Sequence, residues 1–244
     1  MTDGLLLRPD ELEQKLLGVG HERYHHKHPF HLLMHQGELT RTQLQAWALN
    51  RYYYQSRIPI KDAIILSRST DTMFRRAWLK RIVDHDGVGD QPGGIEKWIR
   101  LAEATGVDRA EVISERSVLP SVRYAVEAYL DLVAKRTLLE AVASSLTELF
   151  SRDLISLRID ALRQHYPWLE SGLMYFQARL TQAPEDAAFA LDYVTRNAVT
   201  REQQEKVVTA LRSKCDILWA QLDAIHFAYV TPGLPSPAVL AGDV

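Results

Sequence analysis

The sequence predicts an all-α protein, a compact single-domain helical bundle, and three observations predict it. Alternating runs of β-branched residues are almost absent. Helix-start signatures recur: Thr40 with Gln43, Asp108 with Glu111, and Thr200 with Gln203 all have capping-box spacing. The third is a stripe of Val207, Leu211, Cys215, Leu218, Leu222, Ile225 and Tyr229, spaced by three and four residues as the buried face of one helix.

Taken in order, helices are expected over about 9–18, 40–56, a segment after Pro59 to about 68, 72–86, 94–106, 119–150, 154–165, 168–182, 185–198 and 201–229, with ends uncertain by ~2–4 residues. The 40–56 helix opens on Thr40 and carries Leu44, Trp47 and Arg51 on one face before Pro59 intervenes. The 72–86 helix aligns Phe74, Trp78, Arg81 and His85, and "DGVGDQPGG" (86–94) closes it as a loop. That loop is no dinucleotide fingerprint, because Pro92 stands where a third glycine is needed and no strand precedes it. The 119–150 segment places Ala141, Ser144 and Ser145 a turn above Glu148, small residues that leave room for a ligand or for close helix packing. The 168–182 helix has a polar stripe of Tyr175, Arg179 and Gln182. Residues 1–230 are expected as one domain, and the proline-rich 231–244 as a tail or linker.

Composition narrows function. A chain of 244 residues buries roughly 70–75% of its unfolded surface without needing staples. A net charge of −2, with 29 Lys+Arg against 31 Asp+Glu, gives no field that would draw nucleic acid or an anionic membrane. The single cysteine, Cys215, excludes an internal disulfide and reads as a small core group. The N-terminus is too short in apolar residues for a signal peptide or span, so the cytoplasm is the expected compartment.

Several cations share faces with apolar residues. Lys214 lies three residues after Leu211 and four before Leu218, and Arg51, Arg81 and Arg179 ride stripes on three other helices. Glu148 or Asp62 can neutralise one or two of them, and too few acids share those stripes to neutralise the rest. The pattern points to a pocket for a polyanionic small molecule, gripped by guanidinium forks matched to carboxylates.

The stretch "HERYHHKHPFH" (21–31) contains H-E-x-x-H at His21, Glu22 and His25, the string of a helical zinc site. Gly18 and Gly20 before it, Pro29 after it, and the crowding of Arg23, Tyr24 and Lys27 argue against that reading. A di-iron site needs paired Glu-x-x-His motifs, and Glu22 to His25 is the one instance. No metal is expected. Six of the nine histidines fall between residues 21 and 35, most of them as packing or loop groups. His85 is the preferred base, its pKa depressed by Arg81 and opposed by Asp84 and Asp86.

"YHHKHPFH", "NRYYYQSRIPIKDAIIL", "RIVDHDG...GGIEKWIRL", "SSLTELF", "HYPWL" and "KCDILWAQLDA" occur in this order and together resemble the bacterial pyrroloquinoline quinone (PQQ) synthase family, PqqC, over residues 12 to 229. The resemblance implies a haem oxygenase-like (TenA/PqqC) fold, a homodimer, and an oxidase without metal or organic cofactor. The implied substrate is a ring-open, bicyclic quinoline tricarboxylate bearing an amino-acid arm. The family closes its last ring and oxidises it with dioxygen, forming PQQ and releasing hydrogen peroxide.

Carried across by position, the resemblance implies a catalytic set of His85, Tyr175, Arg179 and His25. It implies substrate binding by Tyr24, Arg51, Tyr54, Gln55, Lys61, Arg81, Tyr129, Glu148, Arg158 and Lys214. His85, Tyr175 and Arg179 would line the dioxygen pocket, where a cation stabilises superoxide- or peroxide-like charge. Metal-using relatives resemble one another in a His-x-x-x-Asp-x-x-His motif where this chain has Tyr175, Arg179 and Gln182, which removes ligands and adds a positive charge. One departure is Ile155, three residues before Arg158, where the family usually has histidine: another group takes over that contact, or one proton transfer changes. Two alternatives remain on the same fold: a thiaminase-like hydrolase using Cys215, and a quinone-binding carrier without turnover.

Overall fold

The computed structural model describes residues 5–231. Eleven α-helices make up the described part: α1 (Pro9–Arg23), α2 (Pro29–Gln36), α3 (Arg41–Ser67), α4 (Thr72–Asp86), α5 (Gly94–Thr105), α6 (Arg109–Ser114), α7 (Pro120–Lys135), α8 (Leu138–Ser144), α9 (Ser151–His165), α10 (Met174–Asn197) and α11 (Arg201–Tyr229). Short 3-10 turns at His25–Lys27, Ser145–Phe150 and Pro167–Gly172 join them. The expected tail falls almost wholly at 232–244, outside the described residues. None of the described helices is long and apolar enough to cross a membrane.

Local chemistry explains most boundaries. Thr40 and Thr200 each accept from the backbone N–H of the glutamine three residues on, and that glutamine accepts from the threonine N–H, so both capping boxes close as expected. Asp108 caps α6 by accepting from Ala110 N at 2.7 Å, but Glu111 completes no box, because its carboxylate binds Arg116 and Ser117 instead. The expected 119–150 helix is divided: Thr137 and Glu140 form an unanticipated capping box that starts α8 after Arg136. Two prolines have the opposite effect. Pro59 and Pro184 sit inside continuous α3 and α10, where each removes one backbone donor without ending the helix. Pro29 occupies the first position of α2, where a missing N–H is harmless.

The core lies between α3, which packs on α4, α5 and α7, and α11, which packs on α1, α7 and α8. Val207, Leu211, Cys215, Leu218, Leu222 and Ile225 of the α11 stripe are buried, as the spacing predicts. Trp47 and Trp98 meet edge to face at 5.2 Å, and the Trp98 indole donates to Ala48 O at 2.9 Å. This pins α5 to α3.

The loop at 86–94 is a two-residue antiparallel hairpin, Gly87–Val88 against Gln91–Pro92. Gly87 adopts φ 88°, and a Cβ there would lie 2.4 Å from Gln91 O, so glycine is required. The hairpin returns the chain so tightly that Gly94, the first residue of α5, approaches His85 and Tyr175. It is a device for bringing those two side chains to one place.

Candidate active site

A cavity of about 1040 Å³, counted with its solvent-open mouth, is lined by side chains from α2, α3, α4, α5, α7, α9, α10 and α11 and from the turns at His25–Lys27 and Ser145–Phe150. Of the fourteen site residues expected from the sequence, all but Arg81 and Lys214 line it. Those two stand behind the wall and act on it through Glu148 and through Tyr54.

One side of the site is a closed network of charges. Arg81 Nη2 donates to both oxygens of Glu148 at 2.7 Å, and Arg179 Nη2 donates to Glu148 Oε1 at 3.0 Å. Arg179 Nη1 donates to Asp186 at 3.2 Å, while Arg81 lies 3.4 Å from Asp62 and 3.6 Å from Asp186. Lys61 donates to Asp62 at 2.5 Å and to Ser145 at 3.3 Å. The expectation of too few acids is therefore overturned for Arg81 and Arg179, and Lys61 joins the same network. The missing acid was Asp186, seven residues beyond Arg179 on the same helix and hidden by reading Pro184 as a break. Burial raises the Glu148 pKa, but Arg81 and Arg179 outweigh it and hold the carboxyl below its ordinary range. Burial and then the charge of Glu148 push Asp186 up to about 6.

The other side keeps its positive charge uncompensated. Arg51, Arg158 and Lys214 make no ion pair among the described residues. Arg51 lies over the Tyr54 ring at 4.0 Å and reaches only Gln221, at 3.4 Å. Lys214 Nζ donates to Tyr54 Oη at 2.8 Å and lies 3.3 Å from the centre of the Tyr129 ring. Burial, then Arg51 and Lys61, drive its pKa well below the usual range. Arg158, buried, has no hydrogen-bond partner for Nε and drops to about 10, chiefly by desolvation, so it stays charged at neutral pH. Groups so placed are stabilised by an anionic guest, which supplies the charge the protein omits.

Among the histidines, His85 Nδ1 lies 2.9 Å from Arg81 O and must donate to it, which leaves Nε2 unprotonated beside the cavity. Its pKa is pushed down to about 4 by burial and then by Arg179. The sequence reading expected Arg81 as the depressing cation, but Arg81 contributes its carbonyl, and Asp62 opposes the shift rather than Asp84 or Asp86. His25 is held well below the ordinary value by burial, then Arg51 and Arg158. Tyr175 Oη donates to Gln55 at 3.0 Å and stands edge-on to Trp98 at 4.9 Å.

In the H-E-x-x-H string, α1 ends at Arg23, so His21 and His25 do not share a helix; His21 and Glu22 are exposed and His25 is buried. No group of three or more His, Cys, Asp or Glu side chains converges as metal ligands among the described residues. Ile155 lines the cavity, and the imidazole against Arg158 comes from His31 on α2. The sequence reading did not single out His31, because no helix was expected over 29–36 and most histidines between 21 and 35 were read as packing or loop groups. Cys215 does not line the cavity, and burial pushes its thiol up to about 12, which leaves almost no thiolate for nucleophilic attack.

The buried neutral histidines tie stability to pH. The unfolded chain takes up protons near pH 6.5, whereas folded His85 resists until about 4, so the unfolded state binds more protons in that window and stability rises with pH across it. His85 alone is worth roughly 3 kcal/mol. His25 and His31 act in the same direction, and Asp186, raised to about 6, opposes them in part. Thermal unfolding is expected at a lower temperature at pH 4.5 than at pH 7; a constant midpoint would contradict the burial of neutral imidazoles.

Residues 13–224 match the TENA/THI-4/PQQC family. The chain is 56% identical over 240 residues to the pyrroloquinoline-quinone synthase of Acidiphilium cryptum (strain JF-5), covering 98% of each chain. It is 52% identical over 237 residues to the bifunctional coenzyme PQQ synthesis protein C/D of Methylorubrum extorquens (strain ATCC 14718 / DSM 1338 / JCM 2805 / NCIMB 9133 / AM1), covering 97% of this chain and 64% of that protein. Among solved structures, a TenA homolog from Pseudomonas syringae pv. tomato str. DC3000 superposes with a TM-score of 0.73 at 13% identity, over 91% of this chain and 96% of that one. A domain with a heme oxygenase-like fold from Shewanella denitrificans OS217 gives 0.74 at 15% identity, over 91% and 93%. By its fold and by the match over most of its length, the chain belongs to the TENA/THI-4/PQQC family.

Proposed function

We propose that this chain is a pyrroloquinoline-quinone synthase, which closes the last ring of a ring-open quinoline tricarboxylate and oxidises it with dioxygen. The observation that carries the reading is the acid-free pair Arg51 and Arg158 in the cavity wall, backed by Lys214 behind Tyr54, in the same site as the neutral His85. Guanidiniums without acids suit a guest that brings carboxylates, and full-length relatives at over 50% identity bear the name of that activity.

Ring closure joins the substrate's amine to its own carbonyl with loss of water, and the bound carboxylates hold the two ends together. In each oxidation His85 Nε2 accepts a ring proton, and the two electrons pass to dioxygen. Dioxygen takes up two protons as well and leaves as hydrogen peroxide. Arg179 lies within the developing negative charge and is held in place by Glu148 and Asp186, so it needs no reorganisation during the transfer. Tyr175 adds a hydroxyl beside it. The reading takes dioxygen as co-substrate, assigns no resident metal or organic cofactor, and places the enzyme as a homodimer in the cytoplasm. It has no use for the buried Cys215, which removes the support for a thiaminase-like hydrolase.

The test incubates metal-stripped protein with the ring-open precursor without air, then admits air and follows quinone absorbance and peroxide. Both should grow together. A binding shift with no turnover would make the chain a carrier. Arg179→Ser is expected to bind the precursor but stall at a reduced intermediate, with oxidation slower by roughly 10²–10³-fold. Oxidation at the parent rate would remove Arg179 from the step.

A further inference from the structure

His31 is buried on α2, in contact with two expected site residues. Its Nδ1 lies 3.0 Å from the backbone oxygen of His25 and 3.1 Å from His25 Nδ1. On its other side Arg158 Nη2 lies 3.1 Å from His31 Nε2 and 3.3 Å from Nδ1, so the guanidinium rests on the ring and not in line with either nitrogen's lone pair.

Only one arrangement of protons satisfies all these contacts. A carbonyl oxygen can only accept, so His31 Nδ1 carries the hydrogen. That same hydrogen faces His25 Nδ1, which must therefore offer its lone pair. A neutral His25 with Nδ1 unprotonated carries its hydrogen on Nε2. The reverse assignment would set a lone pair of His31 Nδ1 against the His25 carbonyl oxygen. Both imidazoles stay neutral, because burial and the charges of Arg51 and Arg158 hold them well below their ordinary pKa.

We propose that His31 is a positioning residue which fixes His25 in the Nε2-protonated tautomer, making it a hydrogen-bond donor to a substrate oxygen, and which seats Arg158 against the same ring. The inference rests on reading the cavity as the catalytic site. It gives distinct roles to the two catalytic histidines, of which the sequence preferred His85 as the base. His85, its Nδ1 hydrogen given to Arg81 O, presents a lone pair, whereas His25 presents a proton. One cavity then holds an acceptor and a donor of the same residue type, the first set by Arg81 behind the wall and the second by His31 within it. The imidazole that the family resemblance led us to seek at position 155 is supplied to Arg158 by α2.

The test is ¹⁵N NMR of the imidazoles at neutral pH. In the parent protein His25 should show an unprotonated Nδ1 and a protonated Nε2, with His31 the reverse. His31→Leu removes the donor and should shift His25 toward a mixture of tautomers, with kcat for oxidation lower by roughly tenfold or more. His31→Asn keeps an amide N–H near the Nδ1 position and should restore both the spectrum and most of the rate. A protonated Nδ1 on His25 in the parent, or an unchanged His25 spectrum in His31→Leu, would overturn the proposal. Should the Leu variant not fold, the parent and Asn spectra still decide it. Failure of the parent to convert the precursor would count against the function and leave the tautomer result standing.

Discussion

His85→Ala is expected to slow oxidation by roughly 10²–10⁴-fold, with precursor affinity changed by less than about tenfold. The imidazole is a neutral base whose lone pair is freed by a hydrogen bond to backbone, at 2.9 Å to Arg81 O. The carboxylates nearby, Glu148, Asp62 and Asp186, are engaged by arginine or lysine. A base with a pKa of about 4 is always unprotonated at neutral pH but weak. Substrate changes this. A bound tricarboxylate adds negative charge to a cavity where burial and Arg179 now depress His85, and so it raises the pKa toward the working pH. The acid limb of kcat/KM, which reports the free enzyme, should therefore lie near pH 4, and that of kcat at a higher pH. The alanine variant should lose both limbs. Stopped-flow traces of quinone formation between pH 4 and 8 give the comparison, and parent-like traces from the variant would take His85 out of the mechanism.

Much of this fold was legible because capping chemistry is local. Thr40 and Thr200 start helices with their own glutamines, and the α11 stripe from Val207 to Ile225 needs only the helical period to be read. Prolines misled in both directions, since Pro59 and Pro184 are absorbed inside helices and Pro29 begins one. A proline's effect depends on whether tertiary packing holds the helix through the missing hydrogen bond, which no local signal carries. The site inherited these errors. Asp186 was lost beyond Pro184, and with it the acid that completes the Arg179 clamp; His31 was passed over because no helix was expected over 29–36. Twelve of the fourteen residues implied by the family resemblance line the cavity; among them Arg51, His85 and Arg179 were legible also from the helical stripes they share. Arg81 and Lys214 lie on the right faces but one layer further back, a distinction that spacing along one helix does not contain. The charge balance was half right: it holds for Arg51 and Lys214, and fails for Arg81 and Arg179, where acids from α3, α10 and the Ser145–Phe150 turn converge.

Glu148→Ala is expected to destabilise the fold by about 3 kcal/mol, a factor of more than a hundred in the unfolding equilibrium. Glu148 accepts two hydrogen bonds from Arg81 and one from Arg179, and its removal leaves two buried guanidiniums to share Asp62 and Asp186. The expected loss is at the lower end for a broken buried pair, because the carboxylate is 18% exposed and water can enter its place. A second readout isolates the electrostatics. Glu148 is a principal cause, after burial, of the raised Asp186 pKa, so in the variant Asp186 should titrate below about 6. Glu148→Gln keeps the acceptor oxygen but not the charge, and should cost less stability while shifting Asp186 by a similar amount. Urea unfolding and ¹³C titration of the carboxyls measure the two effects separately. A loss under about 1 kcal/mol with Asp186 unmoved would mean that the arginines are held by packing alone. Arg179 would then owe nothing to the acid cluster around it.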